Sequence, residues 1–442
     1  MGPTAIGPEG RGVHTRAQSA DPPGLWERVV GFEPVALAVF VGLDLLTIRF
    51  AGLPSHVAWA KVAAVGTGAG LLLSLVFRRR GFGYLVAFAG STVGALIVLV
   101  TRDIAQPEVH VLVAGARSWV NTGTPYLTRP LGVYDYRPYL PALFGFGLPE
   151  AVLHQPLVEP RVIGWIVFLV ALVVGAALFA RGLPAAQLRR AGAHRLGGFR
   201  LAVVLAAVGA FPPIAQSWTA SFIDLPETAL TLLAFALVAS TANRRYTGPK
   251  LLAAGALVAS TAAMKPIGLC AVFVLVLWVG SARGRRAVLW CLGGVAGAVL
   301  PLYASVLGHG ATALWLNVER FPAGQAPIPT PAGSPFPGAL LWQATGRHAV
   351  EGAVVLALAG LVFALYCLRH QPTDARSAAR LLAIGWIVAF LAAPTGRFGY
   401  LWMPVVLWLY VTAMTSPGLR VPEWGPGGRG RAQLGVVRPR TR

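Results

Sequence analysis

Apolar runs recur along almost the whole chain, at about 34–50, 57–77, 81–101, 161–180, 199–216, 227–242, 251–264, 267–280, 287–306, 349–368, 380–394 and 402–417. A helix of about 20 apolar residues crosses a bilayer, and helices satisfy every backbone group within themselves, so this repetition dictates an all-α, polytopic membrane helix bundle. The shortest runs, 251–264 and 267–280, meet at Lys265-Pro266 and read as half-helices or a hairpin buried among other helices. About 10–12 transmembrane helices are expected on this pattern. Composition agrees: 56% of the 442 residues are apolar and 12% are charged, against about 25% charged in soluble domains.

A formal charge of +21 would suit a nucleic-acid partner if it were concentrated on one surface. It lies instead in short clusters between apolar runs, so no nucleic acid is expected. The segments 78–80, 181–200, 243–250, 281–286 and 369–380 hold 17 basic residues against one acid, Asp374. By the positive-inside pattern they face the cytoplasm, as does the basic tail 419–442 with six Arg and one Glu. Twelve spans would put both termini there. Residues 1–32, rich in Gly and Pro without an apolar core, read as a disordered cytoplasmic tail, leaving 33–418 as the transmembrane domain. Cys270, Cys291 and Cys367 all fall in apolar segments, so neither a disulfide framework nor a metal knuckle is indicated.

The opposite, external side receives two long segments, 102–160 and 307–348, and shorter ones near 217–226, 265–266 and 395–400. Within the first, Val109, Leu112, Val113, Ala116 and Val120 recur at helical spacing opposite His110, Arg117, Ser118 and Asn121, which predicts a surface helix ending near Gly123. The aromatic cluster Tyr134-Asp135-Tyr136-Arg137-Pro138-Tyr139 then leads into an apolar stretch reaching Leu153. The second segment carries Pro322, Pro327, Pro329, Pro331, Pro335 and Pro337 beside Trp315, Asn317, Glu319, Arg320 and Phe321, and reads as a stiff extended loop or lid.

Glu108 through Arg117, then Gly123-Thr-Pro-Tyr126, then Tyr134-Asp-Tyr-Arg-Pro138-Tyr139 resembles the GT-C superfamily of polytopic glycosyltransferases. The likeness is greatest to glycosyltransferase family 87, mannosyltransferases that use polyprenyl-phosphate mannose. Asp224-Leu-Pro-Glu227, Ala263-Met-Lys265-Pro266 and Gly396-Arg-Phe-Gly-Tyr400 resemble its motifs more weakly, and the likeness covers about residues 81–417. Runs 34–50 and 57–77 precede the helix corresponding to the family's first. The resemblance implies transfer of a hexose, mannose by family, from a polyprenyl-phosphate sugar to an envelope lipid or glycan acceptor, with inversion, at an external active site in the plasma membrane.

That chemistry needs a carboxylate to take the acceptor's proton, cations to meet the departing phosphate, and a greasy groove for the polyprenyl tail. The register places Glu108 where the family has Asp, and Asp103 lies nearby as its rival. Each also has an ordinary reading: Glu108 complements a helix dipole after Pro107, and Asp103 pairs with Arg102. For the phosphate the candidates are Lys265, Arg397, Arg137 and His110. Lys265 is the only charge between Leu251 and Ser281, and a charge at membrane depth calls for a partner, an anion or a route to the interface. Asp135, Tyr136, Asp224 and Glu227 are candidate contacts to acceptor or sugar. Asp224-Leu-Pro-Glu227 also has the form of a capping box, and Asp135 can pair with Arg137 to organise its loop. No Asp-x-Asp pair is present, so neither a metal nor another cofactor is expected. The competing classes are a transporter or lipid flippase, and a non-catalytic membrane subunit of the same shape. A transporter would place charges within several spans, whereas here only Asp44 sits inside an early run.

Overall fold

The computed structural model describes residues 29, 31–77, 81–182, 194–242, 247–308, 310–330, 334–344 and 349–415. Nearly all of the expected tails 1–32 and 419–442, the basic segment 78–80, and much of 181–200 and 243–250 lie outside the described residues.

Among the described residues the regular elements are helices, and each apolar run forms one. They are α1 (Glu33–Phe50), α2 (Pro54–Val76), α3 (Phe82–Thr101), α5 (Pro160–Gly182), α6 (His194–Ala210), α7 (Leu225–Ala239), α8 (Gly248–Ala262), α9 (Gly268–Arg283), α10 (Arg285–Leu307), α11 (Ala349–Arg369), α12 (Ala375–Ala392) and α13 (Trp402–Thr415). The surface segment contributes α4 (Pro107–Thr122). Among the described residues six helices are long and apolar enough to cross a membrane, or seven if Ala202–Ala210 of α6 and the bent stretch Pro212–Ser221 count as one span. The chain is a multi-pass helical membrane protein. The helices outside that set differ in kind: α1 carries Glu33, Asp44 and Arg49, while α7 and α9 are apolar but short. Periodicity reveals that a run is helical; it does not reveal whether the helix is long enough to span.

Small residues set how closely the helices approach. In α3 a π-helical stretch, Ala89–Gly94, brings Gly90 against Gly66 of α2 so tightly that a Cβ on either would overlap the other's backbone. The local widening leaves the Ser91 carbonyl to accept from the Trp59 indole at 2.9 Å. Gly255 of α8 and Gly294 of α10 similarly press against the partner helix's carbonyls. Asp44 of α1, fully buried, accepts from the Thr67 hydroxyl of α2 at 2.7 Å, fastening the first two helices together. The largest core runs through α5, α7, α9, α12 and α13, around Trp165, Phe168, Trp218, Phe235, Trp386 and Trp402.

The bundle has two chemically different ends. At one, Arg283 donates to the Thr241 carbonyl at 3.0 Å and Lys250 to the Ser240 hydroxyl at 2.9 Å. The other gathers the connections rich in acids. There the Gln106 amide donates to the Ala220 carbonyl at 2.9 Å, and the Leu140 and Ala142 amides donate to the Met264 and Ala263 carbonyls at 3.0 and 2.9 Å. These bonds clip the first long segment onto the turn that carries Lys265.

Candidate functional site

The site begins at α4. Gln106 enters in extended conformation, Pro107 occupies the first helical turn, where its missing N–H costs nothing, and Glu108 follows on that turn. The helix buries Val109, Leu112, Val113 and Ala116, turns His110 and Arg117 outward, and ends at Gly123 with φ +76°. Val120 departs from the expected apolar face and is 57% exposed. Gly115 is required by contact, because a Cβ there would strike the Phe144 ring and the Arg137 stem. This packing directs Glu108 across to the segment before α13, where its Oε1 accepts from the Arg397 guanidinium at 2.6 Å. The pair is open: Arg397 keeps 43% of its side chain exposed and Glu108 16%.

A second ion pair stands beside the first. Lys265, in the turn between α8 and α9, bonds the carboxylate of Asp224 and lies over the Tyr400 ring, 5.3 Å from its centroid. Burial works against the ammonium, but Asp224, Tyr400 and Glu227 hold its pKa above the usual lysine value. Tyr400 sits on the short turn Phe398–Leu401 that Arg397 opens, and it acts on both cations. Tyr139 completes the enclosure: burial pushes its hydroxyl well above the usual range, with Glu108, Tyr400, Arg397 and Asp224 all acting on it. The capping box expected of Asp224-Leu-Pro-Glu227 does not form. No side-chain cap bond is made at α7, because the ammonium of Lys265 takes the Asp224 carboxylate in place of a neutral backbone N–H. Glu227 is fully buried, and neither of its oxygens has a hydrogen-bond partner.

On the other side of the 398–401 turn lies an apolar groove of about 850 Å³, lined among others by Phe32, Phe40, Phe211, Phe398, Leu401 and Val405. One short segment thus presents Arg397 and Tyr400 to the charged cluster and Phe398 and Leu401 to the groove.

The remaining candidates lie elsewhere. Asp103 is exposed, in a left-handed conformation with φ +52°, and acts on Glu150 together with Glu159, Arg117 and Arg161. In that neighbourhood Arg161, 1% exposed, donates to Glu159 at 2.7 Å and to the Ile104 and Thr219 carbonyls at 2.8 and 3.2 Å. His110 faces outward, on the side of Glu159. Arg137 is buried beneath α4; its guanidinium donates to the Pro125 carbonyl, and its backbone amide to Asn317 at 2.9 Å. Burial lowers its pKa, with Asp135 opposing. Asp135 accepts from the Leu131 and Gly132 amides at 2.9 and 2.8 Å, locking its own turn. Tyr136, 1% exposed, stacks on Phe321 with centroids 4.1 Å apart.

The structure therefore brings Glu108, Arg397, Lys265, Asp224 and Glu227 into one cluster, and leaves Asp103, His110, Arg137, Asp135 and Tyr136 outside it. Sequence reasoning missed Tyr139 and Tyr400 as members. Both stood inside quoted motifs, but a tyrosine at a membrane interface is too common to single out. It also missed His56 of α2, which contacts the Gln106 side chain at the entrance to α4 and for which the sequence offers no signal. Comparison with known proteins returned no matching family model, no matching curated protein and no matching solved structure.

Proposed function

We propose that this chain is a membrane glycosyltransferase that moves a hexose, mannose by the resemblance above, from a polyprenyl-phosphate sugar to an envelope lipid or glycan acceptor. The observation that carries the reading is the 397–401 segment, with two cations and a carboxylate on one side and an apolar groove on the other. A lipid phosphate has just those two halves. The prenyl chain lies in the groove, and the phosphate passes over the turn at Gly399 to meet Arg397 and Lys265. Arg397 offers paired donors suited to phosphate oxygens, while Lys265 acts as a point charge.

Glu108 is the base. When the phosphate draws Arg397 toward itself, the freed carboxylate accepts the proton of the acceptor hydroxyl as that oxygen bonds to the anomeric carbon. The bond from the anomeric carbon to the phosphate oxygen breaks, and its electron pair leaves with the phosphate, where the two cations stabilise the added charge. Attack from the face opposite the leaving group inverts the configuration. The site lies at the end of the bundle away from Arg283 and Lys250, so by the positive-inside pattern it faces outward in the plasma membrane, with both termini in the cytoplasm.

The test is transfer of radiolabelled sugar from polyprenyl-phosphate mannose by the full chain in lipid nanodiscs. Glu108→Gln should fold and lose about 10²- to 10⁴-fold in rate, while Asp103→Asn retains transfer. Full transfer by Glu108→Gln removes it as the base. A wild-type chain that transfers nothing yet moves lipid between leaflets of a vesicle establishes the flippase reading, which the buried carboxyls of Asp44 and Glu227 favour. Neither activity would leave the non-catalytic subunit.

A further inference from the structure

Glu227 belongs to neither ion pair, yet it is the most enclosed carboxyl group beside them, 0% exposed and without a donor to either oxygen. An ionised carboxylate in that condition on an apolar helix is far too costly, so the group holds its proton. A carboxylic acid has one O–H to give, and in this arrangement nothing receives it. Two acceptors stand at helical spacing from it: the Thr231 hydroxyl, four residues later and also without a partner, and the charged Asp224, three residues earlier, a spacing that leaves about 5–6 Å between Cβ atoms. The Asp224 Oδ1 is committed to Lys265.

The ionisable groups facing Glu227 are few. They are Asp224 from its own helix, Lys265 from the turn before α9 and the Cys270 thiol of α9. Of the other helices packed against α7, α5 brings Arg161, held by Glu159 and two carbonyls. Lys250 of α8 bonds Ser240 at the far end, and the Tyr410 hydroxyl of α13 bonds the Leu172 carbonyl. Arg376 and Arg380 of α12 lie at the start of that helix.

We infer that Glu227 is the receiving partner of Asp224 when an anion enters the site. The inference rests on the lipid-phosphate reading above. The Lys265 ammonium turns from Asp224 to the phosphate oxygens, and the Asp224 carboxylate turns to accept the O–H of Glu227. No proton enters or leaves: the one already on Glu227 becomes shared, and the carboxyl pair keeps a single negative charge. The anion is thereby spared a bare, buried carboxylate opposite it. Glu227 is a positioning residue that acts through Asp224 and Lys265.

The experiment measures equilibrium binding of a short-chain prenyl phosphodiester to the full chain in nanodiscs, from about pH 5 to about pH 9, a range over which the probe keeps one charge. Thermal stability is followed in parallel. Glu227→Gln preserves a donor and should bind within about twofold of wild type, whereas Glu227→Leu preserves only bulk and should lose about tenfold. Wild-type affinity should fall at the alkaline end, as Glu227 loses the proton that Asp224 needs, and the Glu227→Gln profile should stay flat there. Wild-type binding matched by Glu227→Leu, or a Glu227→Gln profile that falls like wild type, overturns the inference and leaves the lipid-phosphate reading standing. No binding by wild type at any pH overturns both. Equal losses in the Gln and Leu variants show a merely structural role and also overturn the inference.

Discussion

Two clusters of acids and arginines lie at the same end of the bundle, built from the same residue types and reached from the same connection after α3, and they are held in opposite ways. Around Arg161 each contact is internal: the guanidinium is enclosed, and Glu159 and two carbonyls take its donors. Around Arg397 the guanidinium is 43% exposed, its recorded partner is a single carboxylate, and an apolar groove begins at the next residue. The first arrangement ties α5 to the 104 turn and to the π-helical stretch Ser217–Ser221. The second has donors to spare. A saturated arginine holds structure together; an arginine with one exchangeable partner can trade it for a ligand.

The contrast can be broken by substitution. Arg161→Met strands Glu159 without its cation and should cost about 3–5 kcal/mol of stability, read as a lowered thermal midpoint, with unchanged transfer per folded molecule; adding Glu159→Gln should restore most of the loss. Arg397→Ala should leave the thermal midpoint within a few degrees and reduce transfer by about 10²- to 10³-fold, the cost of one missing donor to the charge that develops on the leaving group. Lys265→Ala, which strands the buried Asp224 carboxylate, should lower the midpoint as Arg161→Met does and reduce transfer per folded molecule by a similar factor. If Arg397→Ala unfolds the chain and Arg161→Met does not, the two clusters have been assigned the wrong way round. Val405→Trp, which narrows the groove, should raise the KM for a long-chain prenyl donor about tenfold and leave that for a short-chain donor unchanged, the loss of about 1–2 kcal/mol of apolar contact.

The smallest effect is a pH dependence in the Arg161 neighbourhood. Burial, with Glu159 and Asp103 nearby, raises the Glu150 pKa above its ordinary value. A carboxyl with a raised folded pKa binds its proton more tightly when folded. Its contribution is therefore complete below the unfolded value of about 4.3 and is lost as pH rises through the folded value. Glu150→Gln should flatten that limb of the stability profile, measured by thermal melts at successive pH values, while the transfer assay keeps the wild-type profile.

Much of this was legible from residue order. Apolar runs fixed the helices, and the alternation of Val109, Leu112 and Ala116 with His110 and Arg117 fixed α4 and its outward face. Lys265 announced itself as an isolated charge, and coordinates give it Asp224 as a partner. What stayed hidden depended on distance in three dimensions. Glu108 and Arg397 are 289 positions apart, and no periodicity links them. Arg137 looked as available as Arg397 until Gly115 was seen to admit its stem beneath α4. The capping box misled because its pattern is local, whereas the competing ammonium comes from another helix pair. Which helices are long enough to cross is hidden for a related reason: hydropathy counts apolar residues but not the charges and breaks within a run.

The two amides of Leu140 and Ala142 that grip the 263–264 carbonyls make a mechanical linkage. Any shift of the loop that follows α4, such as making room for a bulky acceptor, drags the lysine turn with it or tears both bonds. On the proposed reading, an acceptor arriving on the watery side would be felt at the ammonium without any messenger through the helices, and the order in which donor and acceptor enter would depend on that linkage.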